Sequence, residues 1–128
     1  MTIAEICKKY QLTADTLRYY EKIGLIPPVP RTAGGIRNYD EESCRWIELM
    51  KCMRSAGVSI DALVEYVALF RQGDGTERKR KQILVEQRRL LAERMADMQK
   101  SLDRLDYKID MYEKGLTPEE KLFSDKQQ

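Results

Sequence analysis

The chain has 128 residues, of which 42% are apolar and 34% charged, and its formal net charge is +2. This length is typical of one small domain, here with an appendage. No apolar run approaches the roughly 18 residues of a membrane helix, and charges are spread through the N-terminal stretch, so we expect a cytoplasmic protein without a membrane span or secretory signal.

Cysteine and histidine usage excludes several kinds of site. The three cysteines, Cys7, Cys44 and Cys52, lack CxxC spacing, and the sequence contains no histidine. This pattern supports neither a disulfide framework nor a zinc module, and it excludes histidine-based catalysis. No phosphate loop, nucleophile–base pair or pocket-forming carboxylate dyad is recognisable, so we expect no enzyme activity, metal or cofactor.

Positive charge is concentrated at the N-terminal end of the chain. Residues 1–39 hold six Lys/Arg against three Asp/Glu, whereas residues 40–128 hold 17 against 18. The small net charge therefore conceals a basic segment, as is typical of a surface that contacts nucleic acid.

Capping residues predict a pair of short helices at the start of the chain. Thr2 and Glu5 form a capping box for a helix over about 3–10, and Thr13 begins a second helix that Gly24 ends. Because only two residues separate the first helix from the second cap, the pair is typical of a helix-turn-helix unit. Two more helices follow at about 41–55 and 60–71, capped by Asp40 and Ser59 and each followed by a glycine.

Residues 25–39 contain three prolines and a Gly-Gly pair, a density of helix breakers that excludes a helix. Ile26 and Val29 before the glycines, and Ile36 and Tyr39 after them, predict two short strands joined by a tight turn. We call this hairpin, residues 25–39, the wing.

A long helix is predicted from Thr76 to Glu113, where 38 residues contain no Gly or Pro. At 1.5 Å per residue it would be about 57 Å long, well beyond the diameter of a 73-residue domain, so we expect its apolar seam to pair with another chain. Lys81 and Arg88 occupy early seam positions, which predicts that the helix start contacts the compact domain instead. The seam, with its 3.5-residue period, consists of Leu84, Leu91, Met95, Met98, Leu102, Leu105, Ile109 and Tyr112.

The second predicted helix concentrates polar and aromatic side chains that can contact DNA. Such donors on the N-terminal half of a helix reach base edges and phosphates, while Leu17 would point inward. The alternative is a solvated face with a partly buried tyrosine pair. Arg31 and Arg37 favour DNA contact, because a cationic hairpin with a Gly-Gly tip can approach a phosphate backbone or minor groove. The candidate set on the helix, with its cap, is Thr13, Asp15, Thr16, Arg18, Tyr19, Tyr20 and Lys22.

The stretch LTADTLRYYEKIGLIPP and the GIRNYDEES segment after it resemble the MerR family of bacterial transcription regulators. The resemblance covers the whole chain and implies a mainly α fold. It implies a winged helix-turn-helix DNA-binding domain over residues 1–71, a linker over 72–75, a dimerisation helix over 76–113 and a short tail over 114–128. In this family the long helix pairs antiparallel, as a coiled coil, across a homodimer.

The same resemblance implies partners and contacts. Family members bind double-stranded promoter DNA and activate transcription by RNA polymerase through distortion of the DNA when an effector binds. By resemblance, the DNA contacts would come from Arg18, Tyr19, Tyr20, Arg31, Arg37 and Tyr39, with Ser59 in a second wing at the phosphates.

The chain leaves little room for a separate sensing domain. Only 15 residues follow position 113, too few to enclose a drug-sized pocket. No cysteine follows Cys52, so the metal and iron–sulfur sites of other family members are absent. The segment KCMRSAGVSIDALVEYVALF resembles the thiol-based AdhR- and NmlR-like branch, in which the cysteine at the place of Cys52 is the proposed sensor of aldehydes and other electrophiles.

A helical wheel of residues 41–55 favours Cys52 over Cys44 as the reactive cysteine, and Cys7 follows Ile6 in a helix whose inner face needs a small residue. The wheel places Cys52 on the polar face, whereas Cys7 and Cys44 are expected to fill structural positions. Three alternatives stay open: an unreactive Cys52, oxidation sensing through a sulfenic acid or mixed disulfide at Cys52, and a coiled-coil adaptor whose helix-turn-helix binds protein. The core arc is predicted to hold Trp46, Ile47, Leu49, Met50 and Met53.

Overall fold

The computed structural model describes residues 1–116. Within them the chain forms five α-helices: α1 (Ile3–Tyr10), α2 (Ala14–Ile23), α3 (Glu41–Ser55), α4 (Ile60–Gln72) and α5 (Glu77–Glu113). The chain divides into two units, Met1–Leu91 and Ala92 onwards, so α5 begins in the first unit and continues in the second. The extra turn expected at residues 117–120 lies outside the described residues.

Side-chain caps begin the four short helices, as the sequence predicts. Thr2 and Glu5 form the reciprocal capping box of α1. Thr13, Asp40 and Ser59 each accept a hydrogen bond from the backbone N–H three residues further on. These bonds satisfy backbone donors that a helix start leaves unpaired, so each cap fixes where its helix begins.

The turn between α1 and α2 is short because Gln11 adopts a left-handed conformation, with φ 55°. The backbone N–H groups of Gln11 and Leu12 both donate to the carbonyl of Cys7, which closes the end of α1. The reversal brings Ile6 of α1 and Leu17 of α2 into one apolar core. This is the predicted helix-turn-helix unit.

One core holds the first unit together, and α1 to α4 and the wing all contribute to it. Trp46 of α3 contacts Phe70 of α4 edge-on, with ring centroids 4.9 Å apart. Leu49 was predicted to be in the core but is 38% exposed, because the buried face of α3 is turned towards Ser43 and Cys44. The buried apolar residues are Ile6, Leu17, Leu25, Ile26, Val29, Tyr39, Cys44, Trp46, Ile47, Met50, Val58, Leu63 and Val67.

The wing is a hairpin without strands, so the prediction of two strands is wrong. Its ladder consists of one antiparallel bridge between Arg31 and Arg37. Proline lacks the N–H that a ladder requires, and prolines occupy three of the four positions before Arg31, so pairing cannot extend further.

Backbone hydrogen bonds nevertheless close the wing. Thr32 N–H donates to the Ile36 carbonyl at 2.7 Å, and Asn38 N–H donates to the Pro30 carbonyl at 2.7 Å. Gly35 supplies the left-handed position of the tip, with φ 82°. Ile36, predicted to lie in the second strand, is 68% exposed at the tip.

The first part of α5 is attached to the compact domain, as the polar residues early in its seam predict. The buried Thr76 hydroxyl lies 2.9 Å from the Leu69 carbonyl, and Arg80 Nε donates to the same hydroxyl at 3.0 Å. The Arg80 guanidinium also lies over the Phe70 ring, 5.6 Å from its centroid. These contacts join the start of α5 to the end of α4.

The rest of α5 leaves its apolar side chains uncovered. None of the residues of α5 is buried. Leu91 of the predicted seam is half-buried. The exposed members of the seam are Leu84, Met95, Met98, Leu102, Leu105, Ile109 and Tyr112.

Candidate nucleic-acid interface and thiol site

One face of α2 is free for contact with another molecule. Leu17 is fully buried, so the helix is anchored on its inner side. Asp15, Arg18, Tyr19 and Lys22 are exposed and spaced at i, i+3, i+4 and i+7, which places them in one stripe along the helix. The structure therefore brings together four of the predicted contact residues on a continuous surface.

The remaining candidates on α2 and at its cap, Thr13, Thr16 and Tyr20, make contacts within the domain. Thr13 caps the helix, and its hydroxyl lies 2.8 Å from the hydroxyl of Thr16. Tyr20 is half-buried against the core, whereas Tyr19 is 51% exposed. The tyrosine pair is thus divided between the two interpretations offered by the sequence: Tyr19 faces solvent, and Tyr20 supports the packing.

Within the stripe, Arg18 forms a loose ion pair with Asp15. The nitrogen–oxygen distance is 3.3 Å, and the two side chains are 52% and 97% exposed. Exposed pairs of this kind contribute little free energy, because water and salt screen them. Arg18 can therefore exchange Asp15 for a phosphate at low cost.

At the wing tip, Arg31 and Ile36 are both exposed. Arg31 Nη1 donates to the Gly35 carbonyl at 3.0 Å, which holds the side chain along the hairpin. Ile36 was predicted only as a strand residue, and no sequence signal marked it as a surface residue of the tip. Apolar side chains on protruding arms are among those that enter DNA grooves.

Glu21, on the inner side of α2, binds the wing with both carboxylate oxygens. Oε1 accepts from Arg37 Nε at 2.7 Å, and Oε2 accepts from the Val29 N–H at 2.8 Å. Burial by itself would raise the pKa of Glu21, but the bonds from Arg37 and Val29 outweigh it and lower the pKa below the ordinary value. Glu21 was not predicted as a functional residue, because its partners lie 8 and 16 residues away.

Two residues of the wing that were predicted to contact DNA, Tyr39 and Arg37, are not freely exposed. Tyr39 is 1% exposed, so the prediction that its side chain contacts DNA is wrong for this conformation. Burial raises the pKa of the Tyr39 hydroxyl, as expected of a side chain that packs between the wing and the helices. Arg37 is partly covered, with its side chain 25% exposed, and is engaged by Glu21.

Ser59, expected in a second wing, is exposed at the start of α4. Its hydroxyl caps α4, and its N–H donates to Gln87 Oε1 at 3.3 Å. The backbone of Ser59 is therefore attached to the first part of α5.

Cys52 is exposed and lies in an open depression between α1 and α3. Lys51 Nζ donates to the Tyr10 carbonyl at 2.5 Å and ties the two helices together. The Lys9 ammonium lies 5.2 Å from the centre of the Tyr10 ring. The lining residues are Lys9, Tyr10, Glu48, Lys51, Cys52 and Ser55.

The other two thiols are less accessible. Cys44 is buried and Cys7 is half-buried, as the sequence predicts for structural positions. Burial, together with a side-chain contact to Cys44, raises the pKa of Tyr10. No cluster of three or more potential metal ligands occurs among residues 1–116.

Comparison with known proteins decides the family. Residues 1–69 match the family described as MerR HTH family regulatory protein. The chain belongs to the MerR family.

Its relatives in this family are regulators. The chain is 58% identical over 93 residues to the HTH-type transcriptional regulator AdhR of Bacillus subtilis, a match that covers 73% of this chain and 66% of AdhR. This MerR-family chain also resembles solved crystal structures. Among them is a MerR family transcriptional regulator from Listeria monocytogenes, with 46% identity, a TM-score of 0.89 and coverage of 98% of this chain and 95% of the other.

Another similar crystal structure is that of HiNmlR, a MerR family regulator lacking the sensor domain, bound to promoter DNA. It has 30% identity, a TM-score of 0.79 and coverage of 88% of this chain and 90% of that one. These relatives confirm the predicted class, a mainly α helix-turn-helix transcriptional regulator rather than an enzyme. Residues 1–116 include no helix with the combined length and hydropathy of a membrane span.

The Glu21 bonds predict a pH dependence of stability. Because folding lowers the pKa of Glu21, its carboxylate stabilises the fold above the ordinary glutamate pKa of about 4.3. That stabilisation is lost as the pH falls through the lower pKa of the folded chain. We expect Glu21→Gln to lower the unfolding free energy by about 1 to 2 kcal/mol at neutral pH, and the difference from wild type to vanish in acid.

Urea unfolding followed by circular dichroism over a series of pH values measures this difference. Glu65→Gln, which removes an exposed carboxylate on α4, controls for the change in net charge. A Glu21→Gln deficit that stays constant into acid would contradict an ionic role for Glu21.

Proposed function

We propose that this MerR-family regulator binds double-stranded promoter DNA as a cytoplasmic homodimer and activates transcription in response to electrophiles that react with Cys52. The observation that carries the DNA-binding part is the stripe of Asp15, Arg18, Tyr19 and Lys22 beside the exposed wing tip. A helix that presents cations and a tyrosine next to a basic hairpin can contact bases and backbone together.

The excess of positive charge in residues 1–39 supports this proposal, because this segment contains α2 and the wing. Arg18, Lys22 and Arg31 are exposed cations that can displace counterions from phosphates. With two copies, the spacing of the DNA-reading heads would be set by α5. Binding energy from both heads can offset the free-energy cost of distorting the promoter. RNA polymerase would then be the partner protein at that promoter.

Arg18→Ala tests the DNA-binding part. We expect weaker DNA binding. The slope of log K against log salt concentration should fall in magnitude by about one per half-site, because one phosphate contact is lost. The measurement is fluorescence anisotropy with a duplex that the wild-type chain selects from a random-sequence library. Lys100→Ala, which removes an exposed cation from α5, is the matched control.

The adaptor alternative gives a different result in the same assay. A protein-binding adaptor would select no duplex, and Arg18→Ala would leave any weak binding and its salt dependence unchanged. Either result would overturn the DNA-binding proposal.

The exposed seam of α5 supports a homodimer. Met95, Met98, Leu102 and Leu105 lie on one side of the helix and are at least half exposed in the single chain. Such a contiguous apolar row is stable in water only when another surface covers it, and a seam with a 3.5-residue period suits a second copy of the same helix. We propose the antiparallel pairing of the family for this seam.

Leu102→Lys places a charge in the middle of that seam. We expect a monomer with much weaker DNA binding, since burying an unpaired ammonium costs more than the contact contributes. Light scattering gives the oligomeric state. Ala96→Lys adds the same charge on the outward side of α5, and it should remain a dimer; a dimeric Leu102→Lys chain would refute this placement of the interface.

Accessibility supports Cys52 as the reactive thiol. It is the exposed cysteine of the three, and its depression is open to small molecules. A thiolate would add to the carbonyl carbon of an aldehyde while the carbonyl oxygen takes up a proton, which gives a hemithioacetal. The added bulk would lie against Tyr10 and Lys51, whose hydrogen bond joins α1 to α3, and α1 leads directly into α2.

Cys52→Ser tests the sensor. We expect unchanged promoter binding without electrophiles and loss of induction by aldehydes, because serine retains the size of the side chain but lacks the nucleophile. A reporter assay and mass spectrometry of the treated protein measure both effects. Cys7→Ser is the control, and normal aldehyde induction in Cys52→Ser would exclude Cys52 as the sensor.

Oxidation sensing is the second candidate function, and the exposure of Cys52 supports it equally. The mass of the adduct separates the two. A carbonyl adduct after aldehyde treatment at concentrations that induce the reporter supports electrophile sensing, whereas a sulfenic acid or mixed disulfide that forms at lower peroxide concentrations supports oxidation sensing.

A further inference from the structure

The two arms of the wing are attached to α2 through one carboxylate. Val29 lies before the tip, on the first arm, and Arg37 lies after it, on the second; both donate to Glu21, at 2.8 and 2.7 Å. The Glu21 side chain is only 13% exposed. Its two oxygens are therefore used inside the domain and are not available to an outside ligand.

The local sequence leaves Val29 as the donor for this contact. Pro27, Pro28 and Pro30 have no backbone N–H, so Val29 supplies the single amide donor of that stretch. A buried amide without a partner is costly, and Glu21 provides the acceptor. On the other arm, the Arg31–Arg37 bridge sets the register, so fixing Arg37 also fixes Arg31.

The charge of Arg37 is already compensated. Its Nε is 2.7 Å from Glu21, and its side chain is 25% exposed. By contrast, Arg31 at the tip is exposed, and Arg18 has only a loose and solvated ion pair. A guanidinium held by a buried carboxylate displaces fewer counterions from DNA than a free one does.

We propose that Glu21 is a positioning residue for DNA binding, which holds the wing at a fixed place beside α2, and that Arg37 acts as its partner rather than as a phosphate ligand. The wing tip, with Arg31 and Ile36, then meets the DNA in register with the stripe on α2. This proposal goes beyond the sensing function and rests only on DNA binding by the chain.

Simple electrostatics makes the opposite prediction for Glu21. A carboxylate near DNA repels phosphates, so its removal should strengthen binding if it has no other role. If Glu21 positions the wing, its removal should weaken binding although a negative charge is lost. The sign of the effect therefore separates the two explanations.

The experiment measures affinity and salt slope for the full-length chain with the duplex selected by wild type. We expect Glu21→Ala and Arg37→Ala each to weaken DNA binding about tenfold or more. The double variant should bind DNA as tightly as the single variant with the lower affinity, as for two residues acting as one unit. Arg37→Ala should keep the wild-type salt slope, whereas Arg31→Ala should lower it by about one per half-site. Glu21→Gln, which keeps an acceptor for Val29, should recover part of the affinity.

Hydrogen exchange of the Val29 amide gives a readout that needs no DNA. We expect faster exchange in Glu21→Ala than in wild type, with the helices still folded by circular dichroism, and wild-type exchange in Arg31→Ala. Equal Val29 exchange in wild type and Glu21→Ala, tighter DNA binding by Glu21→Ala, or a salt slope for Arg37→Ala that falls as it does for Arg31→Ala would each overturn the proposal. Failure of wild type to select a duplex would instead count against DNA binding itself.

Discussion

The apolar core shared by four short helices and the wing determines where the functional side chains of the first unit lie. Leu17 is fully buried, so α2 can present only its opposite face, which carries Arg18 and Tyr19. Ile47 and Met50 are fully buried in the same core, which turns Cys52 of α3 to the surface. The exposed stripe of α2 and the exposed thiol of Cys52 thus lie on different faces of one packed body, and close packing limits how far either can shift independently of the other.

The parts of the fold that the sequence predicts well are those set by neighbouring residues. Thr13, Asp40 and Ser59 each bond to a backbone N–H three residues away, so the start of each helix is determined locally. The wing depends on distant partners. The positions of Arg37 and Tyr39 are decided by Glu21 and by the core, and no periodicity in residues 25–39 carries that information, so the strands and the Tyr39 contact were predicted incorrectly.

The residues of the candidate site also fall into those that local sequence predicts and those that it does not. The stripe on α2 follows from helical spacing, and so does the exposure of Cys52. Glu21 and Ile36 were not found, because one looks like an ordinary helix glutamate and the other like a strand residue. For α5 the heptad pattern predicts an apolar seam, and the exposure of Leu102 and Leu105 agrees with that prediction.

The connection between the two faces passes through α1. Tyr10 lines the depression that contains Cys52, and its carbonyl accepts a hydrogen bond from Lys51. After the short turn that follows Tyr10, the chain enters α2. Because that turn is closed by bonds from Gln11 and Leu12 to Cys7, a displacement of α1 cannot be absorbed there without breaking them. A group added at Cys52 would then act on α2 as a tilt of the whole helix, and Glu21 would carry the wing along with it. Under the proposed function, an adduct would then alter the direction of each DNA-reading head while the contacts within the head are preserved.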